Sequence, residues 1–177
     1  MRESGRIYAF FILYTAVAKT EKDYEDLLRL FNKHKVKYCV VGAFAFGAHA
    51  RPRYTKDIDI LVEPTTANAQ RIIKALDEFG FKSLHLTVED FCSKNQCIQL
   101  GYEPVRVDLL TSLGGLNFAQ VWKNKVKEAY GDINIYFIGL DDLIQAKQIA
   151  NRKQDLVDLE ILLDIKKHKV KNNKDKS

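Results

Sequence analysis

The sequence predicts an α+β fold, with a mixed β-sheet and flanking helices, from three observations. Helical and strand-like segments succeed one another along the 177 residues without the repeated βαβ units of a doubly wound parallel sheet. Two strand-like segments are joined by a turn, residues 101–104, which indicates an antiparallel hairpin. The chain is long enough to bury one sizeable core, and we expect one domain.

Apolar spacing predicts the first elements. A helix begins at the capping residue Thr20, because five apolar residues then recur at helical spacing: Tyr24, Leu27, Leu28, Phe31 and Val36. An apolar run predicts a buried strand at 37–41. Gly42 separates this strand from an alanine-rich helix at 43–50.

The next strand and helix have clear boundaries. Residues 57–62 alternate polar with apolar side chains before becoming fully apolar, which is typical of a strand with one open face. Thr66 can cap a helix that continues to Phe79, and Gly80 ends it.

The second half predicts four strands and a C-terminal helical region. The predicted elements are strands at 96–100 and 105–110, a short segment at 118–122, strands at 125–130 and 133–138, and a helical region from Asp141 or Asp142 to about Lys166 that breaks near Asn151.

The chain divides into three parts. We expect an apolar N-terminal extension at 1–19, the folded domain at 20–166 and a basic disordered tail at 167–177. The positive net charge of +5 comes mainly from the end, since residues 166–177 contain six lysines and one aspartate. Such a tail could attract nucleic acid, although a merely solvated tail is the commoner case.

The apolar start has two interpretations. Residues 7–18 are apolar, follow a charged start and end in small residues, which resembles a signal peptide. We favour a helix or strand packed on the core, because the run is shorter than the ~20 residues of a membrane span and the three cysteines do not form a disulfide framework. We therefore expect a cytoplasmic protein that uses no membrane, with secretion through residues 1–18 as the alternative.

Three aspartates are the candidate catalytic and metal-binding residues. Asp57 and Asp59 share one face of their strand, because residues i and i+2 point the same way. Asp108, on a later strand that we expect to neighbour this one, would complete a site for two Mg²⁺ ions, with Mn²⁺ as a substitute. Asp57 and Asp59 would bridge the ions and a nucleoside triphosphate, and Asp108 would help to deprotonate the acceptor.

Gly42 is the candidate phosphate-binding residue. A glycine lets the backbone approach phosphates closely, and the helix that follows offers its free N–H groups. Taken alone, the aspartate pair could be solvated carboxylates and the glycine a simple turn. The combination favours a nucleotide site.

These residues resemble the signature of the polymerase-β-type nucleotidyltransferase superfamily. The signature consists of Val41-Gly42-Ala43, a gap of thirteen residues, Asp57-Ile58-Asp59, and later Val107-Asp108-Leu109. More narrowly, residues 42–62 and 137–162 resemble a bacterial group related to the nucleotidyltransferase toxins of toxin–antitoxin systems. The resemblance covers about Asp23 to Leu163 and implies a nucleotidyltransferase-like fold.

The resemblance also implies further nucleotide-binding residues. Arg53 and Thr55 would line the nucleotide site, and Lys147 would reach the triphosphate. The spacing of Lys147, Asn151, Asp155 and Asp158 suggests one polar stripe on a helix, for which a solvated face with ion pairs is the alternative.

We expect Mg²⁺-dependent transfer of a nucleoside monophosphate from a nucleoside triphosphate to a hydroxyl of RNA or protein, with a toxin-like role and a cognate protein partner. Ala43 departs from the glycine or serine usual at its position, so it offers a backbone N–H but no hydroxyl. This departure keeps a second hypothesis open, a non-catalytic or antitoxin-like protein-binding module. A third hypothesis is a nucleic-acid-binding module that uses the basic tail.

Overall fold

One mixed sheet of six strands organises the described part of the chain. The computed structural model describes residues 22–51, 55–102 and 105–174. The strands are β1 (Tyr38–Val41), β2 (Asp57–Val62), β3 (Cys97–Leu100), β4 (Arg106–Leu110), β5 (Val126–Tyr130) and β6 (Ile133–Phe137). Their order in the sheet is β3-β4-β2-β1-β6-β5. The β1–β6 and β2–β4 pairs are parallel and the others antiparallel, so the predicted mixed sheet is confirmed.

Helices connect these strands. They are α1 (22–33 within the described residues), α2 (Gly42–His49), α3 (Thr66–Phe79), α4 (Val88–Cys92), α5 (Phe118–Asn124), α6 (Leu140–Ala150) and α7 (Lys153–Lys174). The predicted break near Asn151 is confirmed, because this residue has a left-handed backbone (φ 49°) between α6 and α7.

The core surrounds β1, which lies between β2 and β6 in the sheet. All four of its residues are 0% exposed, so both faces of the strand are covered. The apolar face of α1 contributes Leu27, Leu28 and Phe31, and the Phe31 ring packs edge-on against Tyr38. Burial of these large side chains is the main favourable term for the fold.

The structure corrects some predicted boundaries. Helix α1 ends at residue 33, and Val36 packs into the core from the connection to β1. The cap of α3 is Thr65, whose extended backbone lets its hydroxyl accept from the Asn68 N–H, while Thr66 is the first helical residue. Helix α7 continues to Lys174, past the predicted end at about Lys166.

Helix α4 was not predicted. It begins with a capping box between Thr87 and Asp90, a signal that the sequence does contain.

Some predictions lie outside the described residues. These are the extension at 1–19, with both of its interpretations, the predicted helix cap Thr20, and Arg53. Among the helices in the described ranges, none is both long and apolar enough to span a bilayer.

Candidate active site

The pairing of β2 with β4 brings the three predicted aspartates together. The strands are parallel, and their register places Asp59 beside Asp108 and Asp57 beside Arg106. Paired residues of neighbouring strands share a face of the sheet, as do residues i and i+2 of one strand. All three carboxylates and the Arg106 side chain therefore lie on one face, so the predicted adjacency of the two strands is confirmed.

Arg106 is the member of this group that the sequence analysis missed. Its Nη2 forms an ion pair with Asp57 and a second one with Asp108, 3.1 Å from Oδ2. The side chain of Arg106 is only 26% exposed, so water screens these pairs weakly. The available signal was the alternation of Arg106-Val107-Asp108, which repeats the polar–apolar–polar pattern of β2.

Asp59 lacks the ion pair with Arg106 that Asp57 and Asp108 have, and its surroundings disfavour its charged form. Burial, together with the nearby charges of Asp57 and Asp108, raises the pKa of Asp59 to about 6, while Arg106 and Arg152 partly oppose the shift. The Asp59 side chain is thus a carboxylate whose ionisation the protein disfavours. A bound cation would relieve this cost.

Gly42 lies directly against Asp59. The antiparallel register of β1 and β2 pairs Val41 with Asp59, and Gly42 follows at φ +64°. A Cβ atom at Gly42 would lie 2.0 Å from the Asp59 Oδ2 atom. Glycine is therefore required both for the left-handed backbone and for the close approach of the carboxylate.

Helix α2 begins at this contact. It has no acidic residue in its first turn and no side-chain cap on Val41, so no side chain of that turn neutralises its positive N-terminal end. The backbone N–H groups of Gly42 and Ala43 belong to this end of the helix. They can donate to an anionic group placed beside Asp59.

Lys147 faces the same space from α6. A small cavity of about 140 Å³ has Gly42 and Asp59 on one side and Lys147 and Arg152 among its other lining residues. Asp155 and six apolar residues complete the lining; the apolar ones are Val41, Leu110, Leu113, Leu143, Ala146 and Ala150. The cavity thus places carboxylate, cation and apolar surface within one site.

The single polar stripe predicted for this region is wrong. The left-handed Asn151 ends α6, so Lys147 and the two aspartates lie on different helices. The Lys147 Nζ atom lies 2.8 Å from Asp155 Oδ1 and 2.7 Å from Asp158 Oδ2, and Lys147 is 6% exposed. This buried ion cluster joins α6 to α7, and its amine already has two carboxylate partners.

Thr55 has a local contact in the structure. Its hydroxyl donates to the backbone oxygen of Asp57 at 3.0 Å, at the point where β2 begins. This bond orients the start of the strand that carries both aspartates. A contact between Thr55 and a nucleotide stays a prediction.

The donor chemistry of the site fits Mg²⁺. Carboxylate oxygens are the ligands that this ion prefers, and the Asp108 Oδ1 atom is buried without a hydrogen-bond partner among the described residues. The described residues do not, however, contain a group of three His, Cys, Asp or Glu side chains already gathered as metal ligands. The Arg106 guanidinium instead forms ion pairs with two of these carboxylates, Asp57 and Asp108.

Comparison with known proteins places the chain in a family. Residues 19–170 match a family described as "Nucleotidyltransferase of unknown function (DUF6036)". The matched region contains every candidate site residue. A search of curated proteins found no match. Because the family match spans most of the sequence, the chain belongs to this family of nucleotidyltransferases.

Proposed function

We propose that the protein transfers a nucleoside monophosphate from a nucleoside triphosphate to a hydroxyl of RNA or protein, with Mg²⁺ held by Asp57, Asp59 and Asp108. The observation that supports this most strongly is the shared face of β2 and β4, which gathers three carboxylates beside the glycine that begins α2. Carboxylates beside free N–H groups suit a substrate that carries phosphates and metal ions together.

Binding of the triphosphate depends on backbone and side-chain donors. The N–H groups of Gly42 and Ala43 donate to phosphate oxygens, and the positive end of α2 favours the anion. Arg152 has a side chain that is 83% exposed and lines the cavity, so its guanidinium can extend toward a phosphate. Lys147 adds positive charge from the cavity wall but stays attached to Asp155 and Asp158.

The transfer step uses one carboxylate as a proton acceptor. The acceptor hydroxyl attacks the α-phosphorus and forms a new P–O bond, while the bond from the α-phosphorus to the bridging oxygen breaks and pyrophosphate leaves. The hydroxyl proton passes to Asp108, whose Oδ1 atom has no hydrogen-bond partner among the described residues. When bound, Mg²⁺ supplies charge neutralisation of the phosphates and of the leaving group.

Arg106 sets a condition for this chemistry. Its guanidinium forms ion pairs with two of the three carboxylates that would hold the metal, and its single charge offsets only one of them. Metal binding therefore requires Arg106 to release Asp57 and Asp108, or to share them. Without a metal, this single positive charge reduces the repulsion among the three carboxylates but leaves the group net negative.

Radiolabelled transfer tests the proposal. Purified protein is incubated with each α-³²P nucleoside triphosphate, Mg²⁺ and total cellular RNA, beside an Asp57→Ala/Asp59→Ala variant. We expect label on RNA or on protein with the wild type alone. The matched control is Asp77→Ala/Glu89→Ala, which removes two exposed negative charges far from β2 in the chain. Equal labelling by wild type and the Asp57/Asp59 variant would refute the proposal.

A non-catalytic role is the second candidate, and a specific observation favours it. The cations of the site are already engaged by carboxylates, since Arg106 pairs with Asp57 and Asp108, and Lys147 pairs within its own cluster. A site whose cations are held by its own carboxylates could serve a protein-binding scaffold, including an antitoxin-like one. This candidate predicts no nucleotide binding by calorimetry in the presence of Mg²⁺. The link to toxin–antitoxin systems stays a prediction.

A further inference from the structure

A second concave site lies at the other end of β1 from the aspartates. Its cavity measures about 470 Å³, within the usual range for ligand sites. Nine residues line it: Asn32, Lys35, Val36, Lys37, Trp122, Lys127, Ile133, Asn134 and Tyr136. We call it the basic pocket. It lies beside Lys37, just before β1, whereas Gly42 and Asp59 are placed at the end of this strand.

The charge of the basic pocket is positive. Three lysines line it, and its lining contains neither aspartate nor glutamate. Lys37 is neutralised by Glu63 at 2.8 Å. Lys35 and Lys127 are exposed, and within the described residues no carboxylate lies close enough to form an ion pair with either. Two ammonium groups are therefore available to an anion.

The backbone fixes the position of Lys35. This residue has a left-handed conformation (φ 56°) in the turn after α1. Its carbonyl oxygen accepts a hydrogen bond of 3.2 Å from Arg71, which adds a further positive group nearby. The pocket rim is thus held in place by contacts that do not use the Lys35 ammonium group.

Aromatic rings form one wall of the basic pocket. The rings of Trp122 and Tyr136 meet edge to face at 5.3 Å, and both side chains are half-buried. The Lys125 ammonium group lies 4.0 Å from the centroid of the Trp122 ring and adds positive charge to this wall. Phe118 stacks on the Trp122 ring with centroids 5.9 Å apart, and the part of Trp122 that stays accessible lines the pocket.

We propose that the basic pocket binds a nucleotide unit of single-stranded nucleic acid. Lys35 and Lys127 would bind phosphate, while the heterocyclic ring would contact the wall of Trp122 and Tyr136. Single strands fit better than duplexes, because only an unpaired base can expose its ring to a concave aromatic wall. The proposal does not depend on nucleotidyl transfer, since it involves none of the candidate catalytic residues.

Trp122 itself supplies the measurement, because it is the only tryptophan of the sequence. The full chain, without metal or nucleoside triphosphate, is titrated with a single-stranded RNA oligonucleotide while the tryptophan emission is recorded. We expect a saturable change in emission that weakens with added salt. A mononucleotide titrated in parallel distinguishes a site for free nucleotides, which would bind as tightly as the strand, from a site for a strand. Either of these results supports recognition of a nucleotide unit.

A double variant, Lys35→Ala/Lys127→Ala, tests the binding of phosphate. We expect its affinity for the oligonucleotide to fall at least tenfold. The slope of log affinity against log salt should become shallower by about 1.4, because each phosphate of a single strand that a lysine neutralises adds about 0.7 to that slope. The matched control Lys82→Ala/Lys94→Ala removes two exposed lysines between α3 and β3 and should bind like the wild type. An unchanged far-ultraviolet circular dichroism spectrum shows that each variant is folded.

Three results would overturn the proposal. The first is RNA binding that leaves Trp122 emission unchanged, as expected if only the lysine-rich C-terminus binds RNA. The second is equal affinity of the Lys35/Lys127 variant and the wild type. The third is equal or tighter binding of duplex RNA or of polyglutamate, which would mean that the pocket recognises negative charge alone. A failure of the labelling assay would refute nucleotidyl transfer only, because these binding measurements use no nucleoside triphosphate and no metal.

Discussion

Replacing Asp59 by asparagine should stabilise the protein in the absence of metal. The Asp59→Asn substitution keeps the size of the side chain and removes a charge that the fold disfavours. The pKa of Asp59 rises from 3.8 to about 6 through burial and through the charges of Asp57 and Asp108. Functional carboxylates often carry such a cost, which is recovered only when a ligand binds.

The pKa shift gives the magnitude. A shift of about two units corresponds to about 3 kcal/mol of differential stability between the two protonation states. Asp59 lines a cavity that solvent enters, and asparagine must find new hydrogen bonds, so we expect a gain of about 1 to 2 kcal/mol at neutral pH. For a domain of this size, that gain raises Tm by about 2 to 8 °C.

The pH dependence has a definite sign. The pKa of Asp59 is higher in the folded state than in the unfolded state, so ionised Asp59 destabilises the fold above about pH 6. The destabilisation disappears below about pH 4, where both states hold the proton. The advantage of Asp59→Asn should therefore be greatest at neutral pH and shrink as pH falls through that interval.

Urea denaturation of the metal-free protein, followed by circular dichroism at several pH values, measures this advantage. Asp57→Asn is the matched control on the same face of β2. It loses the ion pair with Arg106, so we expect it to be no more stable than the wild type. The reasoning is refuted if Asp59→Asn is less stable than the wild type at neutral pH, or if its advantage persists unchanged at low pH.

Three further substitutions test the contacts around the site, each by chemical denaturation. Arg106→Gln should lower the free energy of unfolding by about 1 to 3 kcal/mol. The rise in Tm on adding Mg²⁺ should be larger for this variant than for the wild type, and an unchanged rise would contradict competition between the guanidinium and the metal. Gly42→Ala should cost about 2 to 5 kcal/mol, from left-handed strain of ~1–2 and overpacking of ~1–3, because its Cβ would lie 2.0 Å from Asp59 Oδ2. Adding Asp59→Ala should recover part of this cost, and strictly additive effects would exclude the clash. Lys147→Met should cost about 3 to 5 kcal/mol, because it removes a buried amine from Asp155 and Asp158; a loss below about 1 kcal/mol would show that the cluster contributes little.

Much of the sheet was predictable because apolar periodicity is a local property of the chain. The alternation in β2 indicated that Asp57 and Asp59 share a face, and the turn at 101–104 indicated the pairing of β3 with β4. The placement of Asp108 beside Asp59 needed the order of the strands, which a single sequence does not contain. The chemistry of a two-metal site supplied that expectation, and the structure shows the register.

The missed features depend on contacts between distant segments. The alternation of Arg106-Val107-Asp108 indicated that Arg106 shares a face with Asp108, but its pairing with Asp57 follows from the strand register, which no local pattern reveals. The error at Lys147 arose because spacing of three and four residues was extended across Asn151, where the backbone turns left-handed. The capping box of α4 is the exception, since it was a local signal that went unused.

The side-by-side registration of β2 and β4 also bears on how faithfully the chain folds. Asp57 faces Arg106 and Asp59 faces Asp108 only in the observed alignment. A slip by one residue would turn the charged set of one strand toward the apolar face of the sheet, where Ile58 and Ile60 are fully buried. The ion pair of Arg106 with Asp57 stabilises the observed register. A shifted register would bury a carboxylate without a partner, which costs free energy. The residues proposed for catalysis therefore also favour the strand register that brings them together.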